Sequence, residues 1–316
     1  MRKIFIEDMK PEAHIEGYFG LKHKNVRTTK NDKLYLDLVL VDKSGEINAK
    51  MWDGVKEVKD SLIEGKPVAV KGYVSIYSKK LQLTIKKIRP VNEEDHKHGY
   101  KFQDLVLSSD KDIDKIWSEI QDLIKSIKNI HLRELTNKIY QEYEDELKTY
   151  PASMKLHHAY RGGLLEHVHL CAKNAMGICH NYPELDLDLV LSGILLHDIG
   201  KIEELTSGIN IKYTDRGNFS GHLVIGWNKL NKAINEIEFF PEELRNKLEH
   251  ILLSHHGKME WGSPIEPAFP EAAIVFYADK IDTYLKQMKN AINQDESEEN
   301  WTDTRNYFRR PLYKKQ

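Results

Sequence analysis

The residues of this sequence most able to do chemistry stand at the end of an apolar run, where a histidine and an aspartate are adjacent. The run covers residues 189–196 and leads into His197 and Asp198, and Lys201 follows within one helical turn. Ten of the fifteen histidines lie between residues 157 and 256, and imidazole is a ligand that binds metals at neutral pH. The pair therefore predicts a divalent-cation site that other residues complete.

Candidates for the remaining ligands lie at the ends of predicted helices or inside an apolar one. Neighbouring helical residues point about 100° apart, so a cation held by His197 and Asp198 needs other helices around it. A carboxylate in an apolar helix, such as Asp279, needs a cation or strong donors beside it. Lys201 shares the face of the pair and is placed to contact a phosphate rather than a metal. The predicted metal ligands are His167, His197, Asp198, His222, His255, His256 and Asp279.

The elements that must position these residues differ between the two parts of the chain. Residues 16–91 contain runs of branched and large residues separated by turns, with a helix predicted over 55–63. About five strands with one short helix predict a small closed barrel, the OB-fold. The clearest strands are predicted at residues 34–41, 46–52, 67–77 and 81–88.

After Asp110 the apolar residues recur at steps of three and four, which predicts helices. The fold class is therefore an N-terminal five-stranded β-barrel followed by an all-α domain. Histidines 169, 180 and 250 are interpreted as structural. The predicted divisions are a barrel over 1–91, a polar linker over 92–109, the helical domain over 110–293 and a loosely ordered tail over 294–316.

Charge is unevenly distributed along the chain, although the net charge is only −2. Residues 14–91 contain 16 Lys and Arg against 9 Asp and Glu, and the remainder contains 31 against 40. A basic module joined to an acidic body indicates a polyanion-binding part attached to a metal-binding part. The alternative is a lysine-rich solvated surface without a ligand.

Composition narrows the class of protein further. No apolar run approaches the roughly 18 residues of a membrane span, and no signal-peptide pattern opens the chain. The two cysteines cannot build a disulfide framework. We therefore expect a cytoplasmic protein with no membrane partner, and the sequence leaves its oligomeric state open.

The ordered set of His167, the His197–Asp198 pair and Asp279 resembles the HD-domain superfamily of metal-dependent phosphohydrolases. The stretch His157–His167, which reads HHAYRGGLLEH, and the barrel before it are together similar to the YhaM-like 3′-5′ exoribonucleases, which pair an OB-fold with an HD domain. One departure concerns residues 257–264, GKMEWGSP, where HD phosphodiesterases for cyclic dinucleotides have Gly-Tyr-Pro. This difference argues against cyclic dinucleotides as substrates.

The resemblance implies specific roles for residues of this chain. His167, His197, Asp198 and Asp279 match the core HD ligands, and Asp198 matches the carboxylate that bridges two metals. The second-metal ligands are matched by His222, His255 and His256, with the choice between the adjacent pair left open. Lys201 matches the lysine that contacts phosphate, and Arg161 is a further candidate for that role.

Imidazole and carboxylate together suit Mn, Fe, Co or Ni, with Mg possible at a weaker site, and the resemblance favours Mn. Such ions neutralise a phosphodiester and favour hydroxide formation near neutral pH. OB-folds hold single strands with aromatic platforms and a basic groove. The candidates for that role here are Tyr35, Trp52, Tyr73 and Tyr77 for stacking and Lys50, Lys71, Lys79 and Lys80 for phosphates, although such aromatic residues also fill barrel interiors.

The leading hypothesis is a metal-dependent 3′-5′ exoribonuclease that converts single-stranded RNA to nucleoside 5′-monophosphates, with single-stranded DNA left open. A second hypothesis is an HD nucleotidase or phosphodiesterase for small nucleotides, which the basic barrel disfavours. A third is a nucleic-acid-binding protein with a vestigial HD site, which the complete ligand set disfavours.

Overall fold

The computed structural model describes residues 4–78 and 80–315, which form two compact units. The first contains the chain up to Ser108 together with the segment Ser207–Ile211. The second contains Ser109–Thr206 and the chain from Lys212 onward. The predicted divisions at residues 91, 109 and 293 stay predictions. No described helix is long and apolar enough to cross a membrane.

The first unit is a closed barrel, which confirms the predicted OB-fold barrel. Within the described residues the strands are β1 His14–Thr28, β2 Leu34–Asp42, β3 Gly45–Met51, β4 Pro67–Tyr77 and β5 Lys80–Pro90. Their order in the barrel is β1-β2-β3-β5-β4. Neighbouring strands are antiparallel except for the parallel pair β3 and β5.

Every second side chain of strand β2 points into the barrel and contributes to its apolar core. Leu36, Leu38 and Leu40 of β2 point into a core that they share with Phe19 and Leu83, and all five are buried. Strands β4 and β5 shift register after Lys71. A Cβ on Gly72 would lie 2.4 Å from the Thr84 carbonyl oxygen, so this close approach requires glycine.

The helix α1, Val55–Val58, is shorter than the predicted 55–63. The Ser61 hydroxyl and amide both donate to the Val58 carbonyl, at 2.9 and 3.1 Å. Such local bonds compete with continuation of a helix.

Residues predicted to be a linker contain two short 3-10 helices, Glu93–His98 and Phe102–Leu105. Asp95 is buried, pairs with Arg89 through two bonds of 2.7 Å and accepts a hydrogen bond from the Tyr18 hydroxyl at 3.0 Å. These contacts hold the first 3-10 helix against the barrel.

The second unit consists of helices packed around one apolar core. Its central helix α6, Leu187–Leu196, is buried at every position from Leu189 to Leu196. A Cβ on Gly193 would lie 3.0 Å from Ile251 and 3.2 Å from Val275, so neighbouring helices approach α6 closely there. The described helices are α2 Ile113–Ser126, α3 Ile130–Glu142, α4 Glu144–Thr149, α5 Gly163–Cys179, α6 Leu187–Leu196, α7 Lys201–Glu204, α8 Asp215–Asn235, α9 Glu242–Ser254 and α10 Pro270–Gln294.

The segment after α10, for which the sequence predicts a loosely ordered tail, makes several contacts within the described residues. Trp301 and Tyr313 form an antiparallel bridge, and Leu312 between them is buried. The Lys314 ammonium lies 2.8 Å from the Asp295 carboxylate. These contacts return the end of the segment to the end of α10.

Candidate functional site

The predicted metal ligands lie at helix ends and on helix faces that converge beside α6. His197 is the C-cap of α6, and Asp198 follows it. α8 is interrupted at Gly221, with φ 66° and ψ 160°, so His222 begins the second half of that helix rather than the helix itself. His255 and His256 directly follow α9. The two remaining ligands lie within helices, His167 in α5 and Asp279 in α10.

Asp198 lies at the centre of this arrangement. Its Oδ2 atom is 3.3 Å from the Nε2 atom of His167 and 3.4 Å from that of His197. Its Oδ1 atom is 3.6 Å from the Nε2 atoms of both His222 and His255. Each carboxylate oxygen therefore faces two imidazole nitrogens, an arrangement that fits the predicted sharing of Asp198 between two metal positions.

The other ligands extend these two positions. Asp279 Oδ1 lies 3.2 Å from His167 Nε2, on the same side as His197. On the opposite side, His256 Nε2 lies 3.1 Å from His222 Nε2, beside His255. The structure thus brings all seven predicted ligands together, and both adjacent histidines of the 255–256 pair face the cluster.

The second ring nitrogen of four histidines is bonded to an oxygen outside the cluster. His197 and His255 donate from Nδ1 to the carbonyls of Ile194 and Leu252, at 2.7 and 2.8 Å. His222 Nδ1 lies 2.9 Å from Glu204 Oε1. His167 Nδ1 lies 2.7 Å from Asp282 Oδ2. These oxygens favour the proton on Nδ1 and leave the Nε2 lone pair free for a metal.

Buried atoms of the cluster fit a divalent cation. His197 Nε2 and Asp198 Oδ1 are buried and have no hydrogen-bond partner among the described residues. A buried polar atom without a partner costs free energy, and a cation between the imidazoles and the carboxylate would remove that cost. Imidazole and carboxylate are the donor types that suit Mn, Fe, Co or Ni.

For most of the predicted ligands with a shifted pKa, the shift favours the protonation state that binds a cation. Burial opposes the charged form of Asp198, but the Lys201 ammonium and His197 outweigh it and lower the pKa of this carboxyl well below its usual value. Burial lowers the pKa of His255, and it lowers the pKa of His256 to about 2. For His167 burial is outweighed by Asp198, Asp279 and Asp282, which raise its pKa well above the usual value.

The two predicted phosphate-contacting residues differ in placement. Lys201 is buried, and its ammonium lies 2.6 Å from Asp198 Oδ2, beside the predicted metal positions. Burial lowers the pKa of Arg161, and no contact among the described residues joins its guanidinium to the cluster. The geometry supports Lys201 more strongly than Arg161.

Sequence reasoning missed residues that support the ligands from behind. Asp282 Oδ2 contacts the Nε2 atom of His158 at 3.0 Å as well as His167. His158 Nδ1 lies 2.8 Å from the Tyr160 hydroxyl, and Glu204 supports His222. The sequence does contain a signal for Asp282, because this residue is three positions after Asp279 and so lies on the same face of the helix.

The barrel places three predicted aromatic residues on one exposed surface. The rings of Tyr35 and Trp52 stack with centroids 4.8 Å apart and planes 25° apart. The Lys50 ammonium lies 5.5 Å from the Tyr35 centroid, 5.6 Å from that of Trp52 and 5.8 Å from that of Tyr77. Trp52 is 39% exposed and Tyr77 is 66% exposed. Lys50, one of the lysines predicted to contact phosphates, thus joins all three rings.

The lysines of the barrel that were predicted to contact phosphates differ in their surroundings. The Lys71 ammonium lies 2.5 Å from Glu16, so part of its charge is compensated. Lys80 is exposed at the beginning of β5, and Lys79 lies outside the described residues.

Comparison with known proteins agrees with both units. Residues 164–284 match the model of the HD domain, and residues 24–91 match that of the OB-fold nucleic acid binding domain. The 3′-5′ exoribonuclease YhaM of Bacillus subtilis (strain 168) is 34% identical over 280 residues, which cover 89% of this chain and 88% of that protein.

Two solved structures show weak likenesses to the barrel. The second OB-fold domain of replication protein A from Methanococcus maripaludis is 18% identical with a TM-score of 0.24, over 28% of this chain and 95% of that one. The mitochondrial single-stranded DNA binding protein Rim1 of S. cerevisiae is 13% identical with a TM-score of 0.23, over 26% of this chain and 97% of that one. TM-scores this low carry no weight for fold or function.

Proposed function

The chain belongs to the YhaM family of 3′-5′ exoribonucleases, and from this premise we propose that it hydrolyses single-stranded RNA from the 3′ end to nucleoside 5′-monophosphates. The observation that carries the proposal is the position of Asp198, whose two carboxylate oxygens each face two imidazole Nε2 atoms. This arrangement supports a pair of divalent cations, with Mn the preferred ion and Co, Fe, Ni or Mg as alternatives. We propose the cytoplasm as its location.

In this proposal His167, His197 and Asp279 hold one ion, His222, His255 and His256 hold the other, and Asp198 is shared. Bound divalent cations neutralise phosphate charge and increase the acidity of water. Lys201 holds its ammonium beside Asp198, where it can donate hydrogen bonds to the phosphoryl oxygens of the scissile diester. The Nδ1 bonds of the ligating histidines keep their rings oriented, so little reorganisation accompanies the reaction.

The decisive experiment is degradation of 5′-labelled single-stranded RNA in the presence of Mn²⁺. A ladder that shortens with time, with release of 5′-monophosphates, supports the proposal. Asp198→Ala and His197→Ala should abolish turnover while strand binding remains, because they remove ligands and leave the barrel intact. His180→Ala is the matched control, since His180 is exposed at the end of α5. Full turnover by Asp198→Ala would contradict the metal-site assignment.

The same assay separates the alternatives. An intact label together with rapid hydrolysis of mononucleotides would indicate a nucleotidase instead. Strand binding without any hydrolysis, with each of the candidate metals, would indicate a binding protein. Parallel DNA substrates measure the preference for ribose.

We further propose that Tyr35, Trp52 and Tyr77, with Lys50, form the surface of the barrel that holds the strand. Stacking of one base on an aromatic ring contributes roughly 1–3 kcal/mol. Trp52→Ala should therefore raise KM for RNA by about tenfold and leave kcat nearly unchanged. Tyr182→Ala, which removes an exposed aromatic residue from the helical unit, is the control. An unchanged KM for Trp52→Ala would exclude stacking at this residue.

A further inference from the structure

A second exposed tryptophan lies in the helical unit, in the loop that follows the paired histidines. This loop, residues 257–264, is held at one end by Ser263, whose side chain is buried. The Ser263 hydroxyl lies 2.9 Å from the carbonyl oxygens of both Leu253 and Ile265, and its amide donates to the Lys258 carbonyl at 3.1 Å. The loop is therefore fixed to the end of α9 by hydrogen bonds, and Trp261 is held in place on it.

Two lysine side chains from different elements lie near the ring of Trp261. The Lys280 ammonium of α10 lies 4.1 Å from the Trp261 ring centroid, and the Lys258 ammonium of the loop lies 5.4 Å from it. Across the part of the chain that the structure describes, neither lysine forms an ion pair with a carboxylate. The indole is 46% exposed and has Phe276 at 6.1 Å between centroids. Both charges are thus uncompensated, and part of the aromatic ring is open to solvent.

This surface adjoins the predicted metal centre through the covalent chain on both sides. Lys280 directly follows Asp279, and Lys258 is two residues after His256. A Cβ on Gly262, the residue after Trp261, would lie 3.7 Å from His256 Nδ1. The tryptophan and both lysines therefore lie next to the ligands of both metal positions rather than at a remote part of the surface.

We propose that Lys258, Trp261 and Lys280 form a nucleotide subsite, in which one base near the 3′ end of the strand stacks on the indole and the flanking phosphates contact the two ammoniums. An aromatic face is a platform for any base, and lysines beside it match the phosphodiester backbone in charge. The inference rests on the proposed exoribonuclease function and adds a strand-positioning role for residues beside the metal centre. It predicts affinity for the end of the strand that is independent of base identity.

The test is the steady-state kinetics of Trp261→Ala on a 5′-labelled RNA oligonucleotide with Mn²⁺. KM should rise by about tenfold, while kcat and the Mn²⁺ content of the protein stay within twofold of wild type. Trp261→Phe, which keeps an aromatic face, should recover most of the loss. The matched control is Trp301→Ala, because Trp301 is an exposed tryptophan of the same unit and should leave KM unchanged.

Substrates that lack one base identify the nucleotide that stacks. Oligonucleotides with a single abasic site at the last, second-last or third-last position should show one position at which wild type loses about tenfold in KM. At that position Trp261→Ala should cause no additional loss. Equal KM values for wild type and Trp261→Ala on intact RNA would overturn the subsite. A loss of bound Mn²⁺ in Trp261→Ala would also overturn it, by assigning the residue to support of the metal ligands. Failure of wild type to degrade RNA would instead overturn the proposed function.

Discussion

At the scale of single residues, the geometry of the site comes from contacts between the carboxylate oxygens and the histidine ring nitrogens. Asp198 faces four imidazoles, and its burial is tolerable only with positive charge beside it. Asp282 has a different task, because it binds the ring nitrogens of His158 and His167 that point away from the cluster. A carboxylate behind a metal-binding histidine fixes the ring and increases its basicity. Asp282 would therefore act on a cation at this site through His167.

Replacing Asp282 with Asn should lower Mn²⁺ affinity by about 10- to 100-fold, because His167 loses its anionic partner. Calorimetric titration of the metal-stripped protein with Mn²⁺ measures the change. Asp122→Asn on the exposed face of α2 is the control and should bind Mn²⁺ like wild type. Unchanged affinity in the Asp282 variant would show that the ring is held by packing alone.

At the scale of elements, the ends of helices place the ligands. α6 is buried from Leu189 to Leu196, so the polar pair that follows it lies inside the protein and not at its surface. At the end of α9 the chain turns at Gly257, which has φ +85°. A Cβ on Gly257 would lie 2.3 Å from the Phe276 ring. This glycine therefore allows the chain to leave the helix directly after both histidines.

Gly257→Ala should destabilise the protein by about 2–4 kcal/mol, from the left-handed backbone and from overpacking against Phe276. Urea unfolding measures the change. Gly177→Ala is the matched control, because Gly177 lies on the exposed face of α5 with nothing within 4 Å of an added Cβ. That variant should gain roughly 0.5–1 kcal/mol from helix propensity. Equal stability of the two variants would show that the turn after α9 is easily rearranged.

The 3-10 helix Glu93–His98 is held to the barrel by an interaction that depends on pH. Hydrogen bonds from Arg89 outweigh burial and hold the pKa of the Asp95 carboxyl well below its usual range. A carboxyl whose pKa is lower in the folded state stabilises the protein above its unfolded pKa of about 3.9, and this contribution is lost as pH falls below that value.

Asp95→Asn should therefore be less stable than wild type by about 1–3 kcal/mol at pH 7, and the difference should shrink as the pH falls from 5 to 3. Urea unfolding at several pH values measures it. Asp60→Asn, at an exposed residue of the same unit, should differ little from wild type throughout. A difference that does not change with pH would rule out the ion pair as its source.

At the scale of the whole molecule, the two parts of the chain differ in net charge. The barrel region carries the excess of lysine and arginine, and the remainder of the chain is acidic around a buried cluster of ligands. Binding of a strand by such a basic surface releases counterions and depends on salt. Cations held by the predicted ligands of the helical unit would lie among buried side chains, where charges are screened much less. Substrate binding and the chemical step should therefore respond differently to ionic strength.

Raising KCl from about 50 to 200 mM should increase KM for a long single strand, with a log–log slope near 0.7 for each phosphate contact, and leave kcat nearly constant. Lys50→Gln should reduce this slope by about one contact. Lys125→Gln, at an exposed residue of α2, is the control and should keep the wild-type slope. A KM that does not vary with salt would place strand recognition in uncharged contacts.

The amino-acid sequence by itself determined the two kinds of unit and the identity of the seven candidate ligands. Period-two apolar residues predict strands, and steps of three and four predict helices. Polar residues that follow an apolar run or lie inside an apolar helix need partners, which singled out Asp198 and Asp279. These are local consequences of burial, so they can be read from one stretch of chain at a time.

Only the tertiary structure decided which atoms meet. The two sides of Asp198, the support of His167 by Asp282, the Lys50 contact with three rings and the Lys280 contact with Trp261 all join residues from different elements. The order of the 3-10 helix at Asp95 likewise depends on Arg89 in a neighbouring strand. Spacing along the chain restricts only neighbours within a helix or strand, whereas distances between elements follow from how the apolar cores close.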